Sequence, residues 1–299
     1  MGDAKLHHFV PQFYLNRFSS GKGKIWAWEK STNRSFPTKS NSIAAETYFY
    51  RLSQYEKDGH DWSAMEKQFS HIEGEVNLIT ADWINWLADL TPMSEIPIPE
   101  INREIVSRYL SLQYLRTADT REILRALPNA DGSKEISEEA LRIAHTELLW
   151  NLDIVNDLAK KFHDSNWIFA RNLSSIEFKT SDNPIAFRTN DNRQWRRLPG
   201  NFEDVYASFP LTPSLIMYFY PRSLAWGDRL DFMSNKISPV LFDEDMVHSE
   251  NSGQVFMATR FMFAKVNDFS FEADFASSIG TDCYKNLEGA VLECPPAQD

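Results

Sequence analysis

The sequence predicts an α+β fold, in which a helical layer packs with a mainly antiparallel C-terminal sheet and a small N-terminal β element. Three observations carry this expectation. Apolar residues recur at helical spacing from Ser63 to Leu87 and again from Leu141 to Phe162. After Asp164 the texture changes to the aromatic and β-branched runs WIFA, IEFKT, PIAFRT, VYASF and LIMYFY, parted by SDN, NDNRQ, PLTP and WGD turns. Near the N-terminus, two short strand-like runs flank a polar stretch.

Taken in order, Pro11 suits the first turn of a short helix on which Phe13, Tyr14 and Phe18 share a face. Lys24 to Trp28 and Thr47 to Arg51 read as strands separated by the turn-rich STNRSFPTKSNS. Met65, Phe69, Ile72, Val76, Ile79, Trp83 and Trp86 then advance by threes and fours, which predicts one amphipathic helix. Three prolines in TPMSEIPIPE break it and suggest a hinge. A second helix is expected from Glu100 to Leu127, with a break near Ala118 and Asp119, and a polar turn follows to Ser133. Ser137, followed by Glu138 and Glu139, starts a third helix whose buried stripe is Leu141, His145, Leu148, Leu152, Val155, Ala159 and Phe162. Asp243 to Phe263 reads as a last helix before a closing strand. The whole is expected as a single domain over 1–299, with sub-parts 1–90, 100–163 and 164–299.

Composition limits the function classes. A chain of 299 residues with 42% hydrophobic and 24% charged residues can bury a sizeable core, which argues against disorder. No apolar run approaches the roughly 20 residues of a membrane-spanning helix, and histidines and a proline interrupt the N-terminus before any secretory-type stretch. Only Cys283 and Cys294 occur, without histidines at metal-ligand spacing, so a cytoplasmic location is expected and neither a disulfide framework nor a zinc knuckle is. Net charge is −11, which argues against a surface that coats nucleic acid throughout. Residues 1–39 nevertheless hold seven basic residues against two acids, a local charge of +5 that leaves −16 for the remainder. This basic face suits a phosphate-bearing ligand, or it simply balances the acidic body. Walker, GxGxxG and GxSxG motifs are all absent from the sequence.

The string HHFVPQFYLNRF, from His7 to Phe18, together with RYLSLQYLRT, the turn KTSDNPIAF and a later helix bearing Asn251 and Gln254, resembles an uncharacterised bacterial family, domain of unknown function 4238. That resemblance extends along most of the chain and implies no established activity. HHFVP is also similar to the first strand of ββα-metal nucleases of the HNH type, where one histidine activates water and a divalent metal stabilises phosphate charge. The likeness stops there. The next histidines, His60 and His71, lie too far on for a compact metal finger.

Glu66 and Glu73 sit seven apart, hence on one helical face, where they suit Mg²⁺ or Mn²⁺, general-base work or a salt bridge to Arg108 or Arg116. Arg108, Gln113, Arg116 and Arg121 line the second helix, and their guanidinium groups suit phosphate or carboxylate equally. Asp182 stands in a turn that its neighbours fully explain, yet a strand end is also where catalytic carboxylates are placed. His145 falls in a buried stripe and reads as a satisfied core histidine. These residues suggest a metal-dependent phosphodiester hydrolase, nuclease-like and acting on nucleic acid or nucleotide. His7 or His8 would be base or ligand, Glu66, Glu73 and Asp182 would supply carboxylates, and Arg108 or Arg116 would stabilise charge. The alternative is a non-catalytic ligand-sensing or protein-interaction module.

Overall fold

Helices form where apolar residues return every three or four positions, and strands where aromatic and β-branched residues run together. A computed structural model describes residues 6–51, 57, 59, 61, 63–126, 136–197, 202, 204–224, 227–240, 242–279 and 292–293. The first half contains β1 (Leu6–His8), α1 (Gln12–Asn16), β2 (Lys24–Glu29), β3 (Arg34–Lys39), β4 (Ala45–Thr47), α2 (Ala64–Asp89), α3 (Glu100–Leu115), α4 (Ala118–Ala126), α5 (Glu138–Trp150) and α6 (Leu152–Asp164). The second half contains β5 (Asn166–Arg171), β6 (Thr180–Ser181), β7 (Ala186–Thr189), β8 (Gln194–Arg196), β9 (Val205–Thr212), β10 (Leu215–Tyr220), β11 (Lys236–Ile237), α7 (Glu244–Met257), β12 (Phe261–Ala264), α8 (Ser270–Ile279) and β13 (Leu292–Glu293).

These elements make the expected α+β fold. Among the described residues, seven strands in the order β11-β5-β10-β9-β7-β8-β13 form the main sheet, antiparallel except where β11 runs parallel to β5. A second sheet, β3-β2-β12-β6, joins the N-terminal hairpin to a strand more than 220 residues later, with Trp28 opposite Met262. β1 and β4 form a separate two-stranded ribbon. The main core runs from Phe9 and Val10 through the α2 stripe to Phe219 and Phe263, with Trp83 edge-on to Trp167 at 5.9 Å. No helix among the described residues is long and apolar enough to cross a membrane.

Several boundaries differ from the sequence expectation, each for a local reason. The helix expected from Leu141 to Phe162 is two helices, because the Asn151 side chain accepts the Asp153 and Ile154 amides and starts α6 anew. The stripe accordingly passes through Leu149, while Leu148 is half-buried and Leu152 is exposed. The stretch taken as a turn contains β3, paired to β2 along its whole length. The strand expected at Thr47 to Arg51 ends at Thr47, since Tyr48 takes a left-handed backbone conformation (φ 56°). IEFKT contributes only Thr180 to a strand. The proposed last helix stops at Met257, and the expected hinge at TPMSEIPIPE is pinned, with Met93 and Ile96 amides bonded to the Ile237 and Asn235 carbonyls. The polar turn after Leu127 and both cysteines lie outside the described residues.

One close contact gives a quantitative check on the core. A Cβ placed on Gly253 of α7 would lie 2.5 Å from the Trp195 ring, whose indole N–H donates to Ser252 Oγ at 3.0 Å. Gly253→Ala is therefore expected to destabilise the protein by about 1–3 kcal/mol despite alanine's better helix propensity. Urea titration measures this, and an unchanged or raised midpoint would mean that the indole moves aside at no cost.

Candidate functional site

Strand geometry separates the two adjacent histidines. In the β1–β4 ribbon His7 lies opposite Glu46 and His8 opposite Ala45, and successive strand residues face opposite sides. His7 is buried, its ring lies 5.9 Å from that of Tyr50, and its Nδ1 accepts the Tyr50 backbone N–H at 3.1 Å. It is a brace rather than a reactive group. His8 is half-buried on the other face, with Gln12 Nε2 3.5 Å from its Nδ1 and no hydrogen-bond partner for its buried Nε2. Burial lowers its pKa, against the Asn41 backbone and the charge of Glu73, while Arg116 adds to the fall. Neutral imidazole is thus favoured.

Arg116, at the end of α3, is the hub that His8 faces. Its guanidinium is buried, donates from Nη1 to Glu73 Oε1 at 2.7 Å and from Nε to Gln113 Oε1 at 3.0 Å, and lies 4.7 Å over the Phe69 ring. Gln113 in turn donates to the Phe9 carbonyl at 3.0 Å, and the Tyr50 hydroxyl donates to the Arg116 carbonyl at 2.8 Å. Burial opposes the charge of Arg116, but Glu73 and the flanking tyrosines hold its pKa above the ordinary value. Glu66, two turns before Glu73 on α2, is pushed up to about 7 by burial, with Glu73 adding to the rise and Arg116 opposing it.

Four buried polar atoms of this cluster lack a hydrogen-bond partner among the described residues: His8 Nε2, Glu66 Oε2, Tyr109 Oη and Arg116 Nη2. Buried donors and acceptors are normally paired, because leaving one unmade costs about 1–3 kcal/mol. Their concentration around one guanidinium marks a place prepared for a ligand. Chemically, the cluster offers a cationic donor, a neutral imidazole and a carboxyl that changes charge near neutral pH. Among the described residues, no group of three or more His, Cys, Asp or Glu side chains is placed to hold a metal ion. The carboxylates expected to bind Mg²⁺ or Mn²⁺ therefore do not form a cage with His8.

The cluster brings His8, Glu66 and Glu73 together, as their sequence pattern invited. Asp182 is not among them. Its Oδ1 accepts the Thr259 amide at 2.8 Å and its Oδ2 the Arg260 and Phe261 amides at 2.8 and 2.9 Å, so both oxygens anchor the start of β12. Burial pushes its pKa up to about 6, against those three amides. Its turn is a structural junction: Ser181 donates to Gln254, and Asn183 donates to Asp119, which is ion-paired with buried Arg197. Asn251 accepts the Lys179 amide and donates to the Glu177 carbonyl. Arg108 is exposed and has no hydrogen bond or ion pair among the described residues, so Arg116, not Arg108, is the arginine of the cluster. The sequence reading overlooked Tyr50 and Tyr109. Tyr109, Gln113 and Arg116 follow at steps of four and three, and that spacing alone separates their face from that of Arg108.

His145 is the satisfied core histidine expected: Nδ1 accepts from Arg121 at 3.1 Å and Nε2 donates to the Leu115 carbonyl at 2.8 Å. Burial, reinforced by Arg121, pushes its pKa down to about 3. The basic N-terminal segment is partly withdrawn from the surface, since buried Lys30 donates to the Val255 and Ala258 carbonyls. Lys24 and Lys39 remain exposed as cross-strand neighbours.

Comparison with curated proteins and with solved structures gave no match. A family model described as "Protein of unknown function (DUF4238)" matches residues 6–268, which takes in the His8 ribbon, both cluster helices and the Asp182 junction. The chain therefore belongs to the DUF4238 family.

Proposed function

We propose that this chain is a phosphodiester hydrolase of nuclease type, acting on nucleic acid or nucleotide at the His8, Glu66, Glu73 and Arg116 cluster. The observation that carries the reading is the unpartnered Nη2 of buried Arg116, a cationic donor beside a carboxyl that titrates near neutrality. Guanidinium groups bind phosphate oxygens through such donors and stabilise charge that develops during reaction. Glu73 is matched by Arg116 and a protonated Glu66 is uncharged, so a phosphate would meet no net negative charge.

In the reaction, neutral His8 takes a proton from the attacking water as its oxygen bonds to phosphorus. The bond from phosphorus to the leaving oxygen breaks, and protonated Glu66 supplies that oxygen with a proton. The two residues end with exchanged protonation and return through solvent. No step is routed through a metal. Exposed Lys24 and Lys39 would help to draw a polyanion to this end of the molecule. A cytoplasmic location fits a chain with only two cysteines.

This division of labour fixes a pH profile. His8 must be unprotonated and burial lowers its pKa from 6.5, while Glu66 must be protonated and its pKa is about 7. Hydrolysis of bis(p-nitrophenyl) phosphate should therefore be bell-shaped, with a basic limb near neutrality that disappears in Glu66→Gln. A rate that climbs steadily between about pH 6 and 8 would contradict the assignment. No turnover of this ester, DNA or RNA, with or without Mg²⁺ or Mn²⁺, would end the hydrolase reading. The same unpartnered atoms suit a ligand-sensing module, which calorimetric binding of inorganic phosphate without any turnover would select.

A further inference from the structure

Alternation along β9 and β10 sends Tyr206, Tyr218 and Tyr220 to the face of the main sheet that is turned away from the main core. There α7 and the 227–233 turn do not close completely over the strands. They leave a cavity of about 570 Å³, within the range of small-molecule sites. Its wall is aromatic: Tyr206 and Tyr220 have ring centroids 4.7 Å apart, and Tyr218 lies within 19° of parallel to Phe242. Its rim carries the exposed apolar side chains Phe232, Val240 and Met246.

One charged pair lines this otherwise apolar space. Glu250 on α7 is only 7% exposed; its Oε1 is 3.8 Å from Arg188 Nη1, while its buried Oε2 has no hydrogen-bond partner among the described residues. Burial of an acceptor without a donor is costly, and this one lies in the lining of a cavity. Arg188 offsets the attraction of Glu250 for a cation, and Glu250 offsets that of Arg188 for an anion. What remains is an apolar, stacking surface with one acceptor at its edge.

We propose that this cavity binds a small, flat, uncharged bicyclic aromatic molecule that stacks on the tyrosine wall and donates an N–H to Glu250 Oε2. The site shares no residue with the His8 cluster and stands whether or not that cluster is hydrolytic.

Indole and benzothiophene test this directly, because they match in shape and only indole carries an N–H. In calorimetry on the full chain, indole should saturate one site and bind about tenfold or more tighter than benzothiophene. Met246→Trp, at the rim and clear of the buried pair, should abolish that binding, whereas His8→Ala should retain it. Equal affinity for the two probes would overturn the Glu250 contact. Preference for benzyltrimethylammonium or phenylacetate over indole would overturn the uncharged ligand, in favour of a cation cage or an Arg188 anion site respectively. Binding of none of the four, or indole binding untouched by Met246→Trp, would overturn the site.

Discussion

Asp182→Ala is expected to destabilise the protein by about 3–5 kcal/mol, because it strips an acceptor from three backbone amides at once. Thr259, Arg260 and Phe261 each donate to that carboxylate at 2.8–2.9 Å, and Phe261 starts the strand that ties the N-terminal hairpin into the second sheet. A lost amide partner costs roughly 1–3 kcal/mol where water cannot replace it, and less where it can, so the sum stays below the simple maximum. Asp182→Asn keeps one oxygen in place and should cost less than alanine. Guanidinium titration of the three proteins measures the order. A change of less than about 1 kcal/mol for alanine would mean that the amides find other partners. The folded fraction of either variant should hydrolyse phosphodiesters normally, since Asp182 lies outside the cluster.

His8→Ala has the opposite signature. Its hydrolysis of bis(p-nitrophenyl) phosphate is expected to fall by about 10²–10⁴-fold in kcat/KM, the usual contribution of a positioned general base. Its stability should barely change, because the His8 ring makes one long contact to Gln12 and leaves Nε2 without a partner. His7→Ala should do the reverse: its Nδ1 holds the Tyr50 amide, so folding suffers before chemistry does. Equal losses of rate in folded His7→Ala and His8→Ala would remove the distinction between brace and base. Loss of stability in His8→Ala without loss of rate would make His8 structural.

The three outcomes follow from where the polar atoms go rather than from residue type. Histidine, aspartate and arginine each occur here both in the cluster's style, with a buried atom unsatisfied, and in the core's style, with every partner in place. His145 bonds through both ring nitrogens, and Asp182 engages both oxygens.

The sequence by itself determined the elements whose signals are local. The three-and-four spacing from Met65 to Trp86 specifies a helix with one apolar face, and it places Glu66 and Glu73 two turns apart at the margin of that face. The aromatic runs after Asp164 specify strands for the same reason, since alternation and β-branching act over a few residues. His145 was legible because it falls in an apolar stripe.

Only the tertiary structure decided which polar residues meet. The choice between His7 and His8 depends on which face of a three-residue strand β4 covers, and β4 lies nearly forty positions away. The choice between Arg108 and Arg116 depends on which side of α3 receives α2 and the Phe9 carbonyl. The three amides that claim Asp182 lie 77–79 positions downstream. A carboxylate's reactivity is set by its partners and its burial, and at such separations neither is written into the spacing of its neighbours.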